Sequence, residues 1–327
     1  MRADLLEILR CPQTGRRLAL EQPEYRDERI HSGWLVSEGN ELRYPIRDFI
    51  PRFVPESNYA DSFGMQWNKF RRTQLDSYSG YPISADRFWK ATGWRPEDIC
   101  RQWVLDAGCG AGRFAEVALR AGAKVIALDY SSAVDACHAN LKHHPDLHVV
   151  QGNIYAMPFP KGFFRYVYSL GVLQHTPDPE RSFQSLLRLL QSGGEITMDV
   201  YARNLRSLLS WKYLLRPVTT RLPKDRLFRW VKRMVDALLP AAVLLRRIGG
   251  RPGARLLPIL QYSHLGLPLE LNREWAILDT FDMYSPAYDF PQTLSTVHKW
   301  FKDCDLENIL VENGPNGIVG RGRKKTA

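Results

Sequence analysis

The stretch Asp106-Ala107-Gly108-Cys109-Gly110-Ala111-Gly112 joins a short apolar run, Trp103 to Ala107, to a helical stretch beginning at Phe114. Glycines at such a junction permit a tight turn and let a ligand lie against the backbone. A pyrophosphate-binding fingerprint would read GxGxxG or GxGxxA. Counted from Gly108, the sixth position is Arg113, which meets neither pattern. The spacing is GxGxG instead, with an acid two residues before the first glycine. An acid there repels a phosphate and attracts a cationic group. Asp129 lies 23 residues after Asp106, at the end of a second apolar run, Lys124 to Leu128. A carboxylate at that place accepts both hydroxyls of a ribose and disfavours a 2′-phosphate. The pattern therefore suits a nucleoside with a positive group and no phosphate, which S-adenosylmethionine is and NAD and ATP are not.

The elements that must hold these residues alternate in type between 101 and 201. Apolar runs at Trp103–Ala107, Lys124–Leu128, Leu147–Gln151, Tyr166–Leu170 and Glu195–Val200 read as strands. Phe114–Ala121, Ala133–Lys142 and Pro179–Leu190 read as helices, the last with Phe183, Leu186, Leu187 and Leu190 on one face. Repeated βα units of this length predict a parallel sheet with helices on both faces. Residues 292–303 form a further amphipathic helix. Leu306–Val311 and Gly317–Gly320, joined by Glu312-Asn313-Gly314-Pro315-Asn316, predict a closing hairpin.

In order and spacing, VLDAGCGAGRF, ALDYS, GNIYAMPFP and YSLGVLQHTPDPERSF resemble the class I S-adenosylmethionine-dependent methyltransferases of the type 11-like group. The resemblance implies a Rossmann-like α/β fold with a seven-stranded sheet of order 3-2-1-4-5-7-6, strand 7 antiparallel. It also implies S-adenosylmethionine as cofactor. Carried over position by position, Asp106, Gly108 and Gly110 would line the methionine part. Asp129 would hold the ribose and Tyr130 would lie against the adenine. Asn153 stands where the family usually has Asp reaching the adenine amino group, and its side-chain oxygen can still accept that bond. Ile154 would offer its backbone N–H to the ring, while Ser169 and Leu170 would sit beside the transferring methyl.

Residues 1–55 read as a small module of a short helix and strands at Leu18–Leu20, Gly33–Ser37 and Glu41–Ile46. LLEILRCPQTGRRL and YPIRDFIPRFVP resemble the Trm112-like module that precedes some of these methyltransferases. A zinc site needs about four Cys or His ligands, and this segment offers only Cys11 and His31, so no metal is expected. Residues 56–100 are rich in aromatic residues, with Phe63, Trp67 and Phe70 at helical spacing. They suit lid or linker helices in which Phe63, Gln66 and Trp67 cover the cofactor or border the acceptor.

Charge is concentrated in one place. Residues 202–261 hold 14 Lys/Arg and two acids, a net of +12, leaving 31 basic and 33 acidic residues elsewhere. This segment lies within a helical cap insertion, 202–275, after strand 5. Leu222, Leu227, Val231, Val235 and Leu238 form its apolar stripe, flanked by Arg226, Arg229, Lys232 and Arg233. The cations are either a solvated face or a means of peripheral contact with an anionic membrane or phosphate-bearing acceptor. Nucleic acid is the weaker reading, because no RNA module accompanies them. The C-terminal part of the core, 276–327, follows. Residues 275–291 set Asp279 and Asp282 among aromatics and return to the active-site end of the sheet, which makes Asp279, Asp282 and Tyr284 candidates for the acceptor pocket.

Methyl transfer needs a base only when the acceptor loses a proton, as a hydroxyl does. His175 is the first candidate base, with Asp279 or Tyr284 as alternatives. The acceptor expected is a small molecule, a sugar or a lipid-linked intermediate, methylated on oxygen. A non-catalytic S-adenosylmethionine-binding scaffold and an RNA methyltransferase are the alternatives. Against the latter, Ser169-Leu170-Gly171-Val172 lacks the proline pair and aromatic of amine-methylating enzymes. The longest apolar stretch, Ala237 to Leu245, has nine residues, whereas a membrane-spanning helix needs about 20. The N-terminus does not read as a secretory signal, and five cysteines without a CxxC pair suit reduced thiols. A cytoplasmic protein, with peripheral membrane contact open, is the expectation.

Overall fold

The computed structural model describes residues 1–39, 42–55, 57–204 and 210–326. Glu41 of the third expected strand and Arg206 of the basic segment lie outside the described residues. The centre is a seven-stranded sheet of β5 (Trp103–Ala107), β6 (Lys124–Asp129), β7 (Leu147–Gln151), β8 (Phe164–Leu170), β9 (Leu190–Val200), β10 (Leu306–Gly314) and β11 (Gly317–Lys324). Their order is β10-β11-β9-β8-β5-β6-β7. Pairings among β5 to β9 are parallel, and β11 runs antiparallel to both β9 and β10. This is the 3-2-1-4-5-7-6 order with strand 7 antiparallel. The central strands are buried along nearly their whole length, as Val104, Leu105, Val125 and Ile126 show. Such continuous apolar strands are what a sheet covered on both faces requires.

Helices α6 (Arg113–Arg120), α7 (Ala133–Leu141), α8 (Pro179–Leu187) and α12 (Leu294–Lys302) connect and cover these strands. The Asp178 side chain caps α8 by accepting from the Arg181 N–H at 3.0 Å, and Pro179 fills its first turn. Phe183 of α8 packs on Phe301 of α12 with ring centroids 4.5 Å apart. On β11, a Cβ at Gly320 would meet the Phe301 ring at 2.4 Å, so this glycine lets the aromatic pair lie flat on the sheet.

The N-terminal module comprises α1 (Ala3–Ile8) and an antiparallel sheet of β1 (Leu18–Arg26), β2 (Arg29–Ser37), β3 (Arg43–Arg47) and β4 (Ile50–Pro51). Pro45 stands on β3, whose outer side is covered only by the two-residue β4. Leu5, Leu9, Leu35 and Ile46 share one buried cluster with Leu105, Ile126 and Val150, so the module and the large sheet have a common core. Arg52 extends the sheet beyond β7 by bridging to Gln151, and its guanidinium bonds Gln151 Oε1 at 2.9 Å and Asp135 Oδ1 at 2.6 Å. His31 faces Asp48 at 3.5 Å, whereas the Cys11 thiol faces the Tyr44 hydroxyl. All five cysteines are free thiols.

Between the module and β5 run α2 (Asp61–Lys69), α3 (Asp76–Ser79), α4 (Ile83–Thr92) and α5 (Pro96–Ile99). After β9 the chain forms α9 (Trp211–Thr219), α10 (Lys224–Ala254) and α11 (Leu269–Tyr284). Leu227, Val231, Val235, Leu239 and Ala242 recur at helical spacing on α10 and pack on Ala276, Ile277, Phe281 and Tyr284 of α11. Arg226, Arg229, Lys232 and Arg233 are exposed, while Leu239 rather than Leu238 continues the buried stripe. Two features differ from the sequence reading. The run 275–291 is helical as far as Tyr284, and Ala276, Ile277, Phe281 and Tyr284 belong to the apolar core of the cap rather than to the sheet. The cause is the apolar face of α11, which the stripe of α10 matches.

Candidate active site

The glycine turn leaves the C-terminal end of β5. Gly108, Gly110 and Gly112 have φ of +95°, +52° and +91°, values that side chains rarely tolerate. The N–H groups of Gly108 and Cys109 both donate to the Leu128 carbonyl, at 2.7 and 3.0 Å, and so fasten the turn to β6. One residue further along β6, Asp129 Oδ2 accepts the Gly110 N–H at 2.9 Å. Its Oδ1 accepts the Ser131 N–H at 2.8 Å and the Ser131 hydroxyl at 2.7 Å. Burial pushes the Asp129 carboxyl up, and these hydrogen bonds oppose that by favouring the charged form. Thus the glycine turn and the carboxylate, far apart in sequence, are direct neighbours.

Asp106 precedes the turn on β5 and is buried. Burial, and then the charge of Asp129, push its carboxyl up to about 8. The buried Tyr168 hydroxyl faces this carboxyl, and its hydrogen bond opposes the upward shift. Tyr130 follows Asp129, and its ring tilts against Tyr59 at 4.9 Å. Beyond β7, the Asn153 side-chain oxygen accepts the Tyr155 N–H at 2.9 Å, and Ile154 is buried. At the end of β8, Leu170 is buried and the Ser169 hydroxyl donates to the Ala107 carbonyl at 2.8 Å, where it joins two strands. These nine positions converge on the C-terminal edge of the parallel strands, where open α/β sheets bind ligands.

Helix α2 lies across the turn. A Cβ on Gly110 would sit 3.1 Å from Trp67 Nε1, and one on Gly108 would sit 2.4 Å from the Val172 side chain. Trp67 and Val172 therefore pack directly on the two glycines. α2 approaches this closely because Gly64 abuts Ser132, where a Cβ would meet Oγ at 2.3 Å. Phe63 packs on His175 at 5.2 Å, and Phe70 reaches Phe228 of the cap at 5.9 Å. One short helix therefore touches the glycine turn, the candidate base and the cap.

His175 ends a single 3-10 turn, Leu173–His175, after β8. Its Nδ1 lies 3.0 Å from the Tyr288 carbonyl and 3.8 Å from Asp289 Oδ1. A carbonyl only accepts, so Nδ1 carries the proton and Nε2 of the neutral ring is the free acceptor. That Nε2 is buried and has no partner within the chain. Burial lowers the imidazole pKa, against the opposing pull of Asp282 and Asp289. Around the ring stand Tyr201, edge-on at 5.4 Å, and the Lys212–Asp289 ion pair at 2.7 Å. Asp282 is held at 3.4 Å both by Gln66 Nε2 and by the Tyr201 hydroxyl.

Asp279 lies one helical turn before Asp282 on α11. It accepts from Gln74 Nε2 at 3.0 Å and from the Tyr262 hydroxyl, and burial pushes its carboxyl up to about 6. Tyr284 is not with them. It is fully buried in the cap core, and its hydroxyl donates to the Pro258 carbonyl at 2.8 Å, so it holds the cap together instead of lining the pocket. Tyr201, Lys212 and Asp289 complete the cluster without having been singled out in the sequence. Asp289 has a signal, as a third acid in the same run; Lys212 is one of the 14 cations of the basic segment. Among the described residues, no group of three or more His, Cys, Asp or Glu is placed to hold a metal ion.

Residues 105–198 match the family described as a methyltransferase domain. A ubiquinone biosynthesis O-methyltransferase from Sodalis glossinidius is 35% identical over 127 residues, which are 35% of this chain and 49% of the relative. A tRNA U34 carboxymethyltransferase from Shewanella sediminis is 29% identical over 185 residues, 49% of this chain and 54% of the relative. The chain thus spans about half the length of these curated relatives. A solved SAM-dependent methyltransferase from Methanosarcina mazei aligns with a TM-score of 0.43 at 14% identity, covering 76% of this chain and 99% of that one.

Proposed function

We propose that this chain, whose residues 105–198 match the methyltransferase-domain family, transfers a methyl group from S-adenosylmethionine to an oxygen of its acceptor. The observation that carries this reading is the Asp129 carboxylate fixed on the Gly110 N–H, with the buried Asp106 on the neighbouring strand. Asp129 would take the ribose hydroxyls, Tyr130, Asn153 and Ile154 the adenine, and Asp106 with Gly108 and Gly110 the methionine end. Ser169 and Leu170 would border the methyl. When bound, S-adenosylmethionine supplies an electrophilic methyl carbon on a sulfonium with a neutral leaving group, so the chain's main task is positioning.

His175 Nε2 takes the proton of an acceptor hydroxyl as its oxygen attacks. Asp282 and Asp289 offset the charge that the ring acquires, and the Tyr288 carbonyl keeps the tautomer correct. Phe63 and Trp67 on α2 exclude water from the reacting atoms. The acceptor is a small molecule, a sugar or a lipid-linked intermediate that presents a hydroxyl to Nε2. The name of the Sodalis relative supports oxygen as the target, whereas that of the Shewanella relative supports an RNA acceptor as the second reading. Incubation with methyl-labelled S-adenosylmethionine and a cell extract tests the proposal. Label in a nuclease-resistant, base-stable product is the expected result. Nuclease-sensitive label favours the RNA reading, and no transfer to any acceptor favours a non-catalytic scaffold.

Asp106 makes the cofactor reading testable without an acceptor. Its carboxyl, pushed up to about 8, is largely protonated near neutrality in the free protein. A positive group placed beside it favours the ionised form. Binding S-adenosylmethionine at about pH 7 should then release close to one proton. Affinity should rise as pH rises toward about 8. Calorimetric titration in buffers of different ionisation enthalpy measures this release, which Asp106→Asn should remove. An enthalpy independent of the buffer would contradict the assignment.

A further inference from the structure

Helix α9 has two faces with different duties. On the inner face, Lys212 Nζ reaches Asp289 at 2.7 Å, Arg216 Nη2 donates to the Pro286 carbonyl at 2.9 Å, and the Thr219 hydroxyl donates to the Tyr284 carbonyl at 3.1 Å. These residues, at i, i+4 and i+7, fasten the helix to the segment that orients His175. On the outer face Trp211, Leu214 and Val218 (i, i+3, i+7) remain 39%, 67% and 62% exposed. The row continues beyond the helix. Trp211 Nε1 donates to the Leu256 carbonyl at 3.1 Å, which sets the end of α10 alongside, and Leu256 is itself 60% exposed.

The charged residues that flank this apolar row in the sequence are cationic. Arg221, Arg247, Arg251 and Arg255 are exposed. No Asp or Glu occurs between Tyr201 and Lys224 or between Ala237 and Leu269. Exposed large apolar side chains gathered in one patch mark an interaction surface. A second copy of the chain would bring a like-charged rim against this one, which repels. A short helix with Trp, Leu and Val on one face and Arg beside them matches an element lying in the headgroup region of a bilayer, with its cations on lipid phosphates. No helix of the described residues is long and apolar enough to cross a membrane, so any contact made by these helices is of the surface kind.

We infer that α9 docks the protein on an anionic lipid surface, with Trp211, Leu214 and Val218 seated at the boundary between headgroups and acyl chains. The docking stands on the surface chemistry alone. Its consequence, that a lipid-anchored hydroxyl enters the His175 pocket along the inner wall of the same helix, rests on the methyltransferase reading.

Flotation with phosphatidylcholine vesicles, with and without phosphatidylglycerol, tests the docking. The full chain should float with the phosphatidylglycerol vesicles, far less with phosphatidylcholine alone, and should be released by salt. Replacing the exposed row, Trp211→Ser with Leu214→Ser and Val218→Ser, should lower the bound fraction by about tenfold or more. The heat of S-adenosylmethionine binding should be unchanged, which shows that the variant is folded and separates this test from the activity. Arg247→Gln with Arg251→Gln should weaken the preference for phosphatidylglycerol. The inference is overturned if the wild-type chain stays unbound at low salt, or if the serine variant floats equally well. A stable dimer in light scattering that the serine variant dissolves would also overturn it.

Discussion

Replacing Asp129 by alanine is expected to abolish measurable binding of S-adenosylmethionine while leaving a folded protein. A hydrogen bond to a charged group contributes about 1.5–3 kcal/mol. A carboxylate that accepts two ribose hydroxyls therefore accounts for about 3–6 kcal/mol, or roughly two to four powers of ten in affinity. The substitution also withdraws the acceptor that fixes the Gly110 N–H and both donors of Ser131. The glycine turn should loosen and the melting temperature fall, but Gly108 and Cys109 remain tied to the Leu128 carbonyl. Calorimetry measures the affinity, and a single cooperative thermal transition checks the fold. Affinity within a few-fold of wild type would remove Asp129 from the site.

The second large effect is on turnover. His175→Asn should retain a donor toward the Tyr288 carbonyl but place no base at the position of Nε2. General-base catalysis is worth about 10²–10⁴-fold, so kcat should fall by that factor while S-adenosylmethionine affinity stays the same. The pH dependence gives a separate check. Burial lowers the His175 pKa below 6.5 in the folded protein. The base stays unprotonated to lower pH than an exposed histidine, and the acid limb of the rate profile should lie below that value. Stability follows the same sign. The unfolded chain binds the proton more readily, so the contribution of the neutral ring is fully present above 6.5 and is lost as pH falls below it. Turnover unaffected at saturating concentrations of both substrates would make His175 a structural loop residue.

The sheet and the glycine turn were legible in the sequence because backbone geometry dictates residue types there. A turn with three positive φ values needs glycines, and a buried parallel strand needs an unbroken apolar run. The acceptor wall was only partly legible. Tyr201, Lys212 and the pair Asp282 and Asp289 come from three stretches of the chain, and their common surface exists only after the cap has packed. Lys212 shows why charge counts mislead. It reads as one more surface cation until Asp289 turns it inward. Tyr284 shows the opposite error. Asp279 and Asp282 are three apart and share a face of α11, whereas a residue two beyond Asp282 points roughly to the other side of the helix. Proximity in sequence to the two acids therefore placed it in the wrong layer. Trp67 was recognisable as part of an amphipathic helix, but no local pattern encodes that its ring rests on Gly110.

The most direct test of the central claim is calorimetric titration of the wild-type chain with S-adenosylmethionine, alongside ATP and NAD. Saturable one-site binding of S-adenosylmethionine, with no comparable heat from the two phosphate-bearing nucleotides, is the predicted result. Absence of binding, or binding of ATP or NAD as tight as that of S-adenosylmethionine, would contradict a turn built for a nucleoside without phosphate.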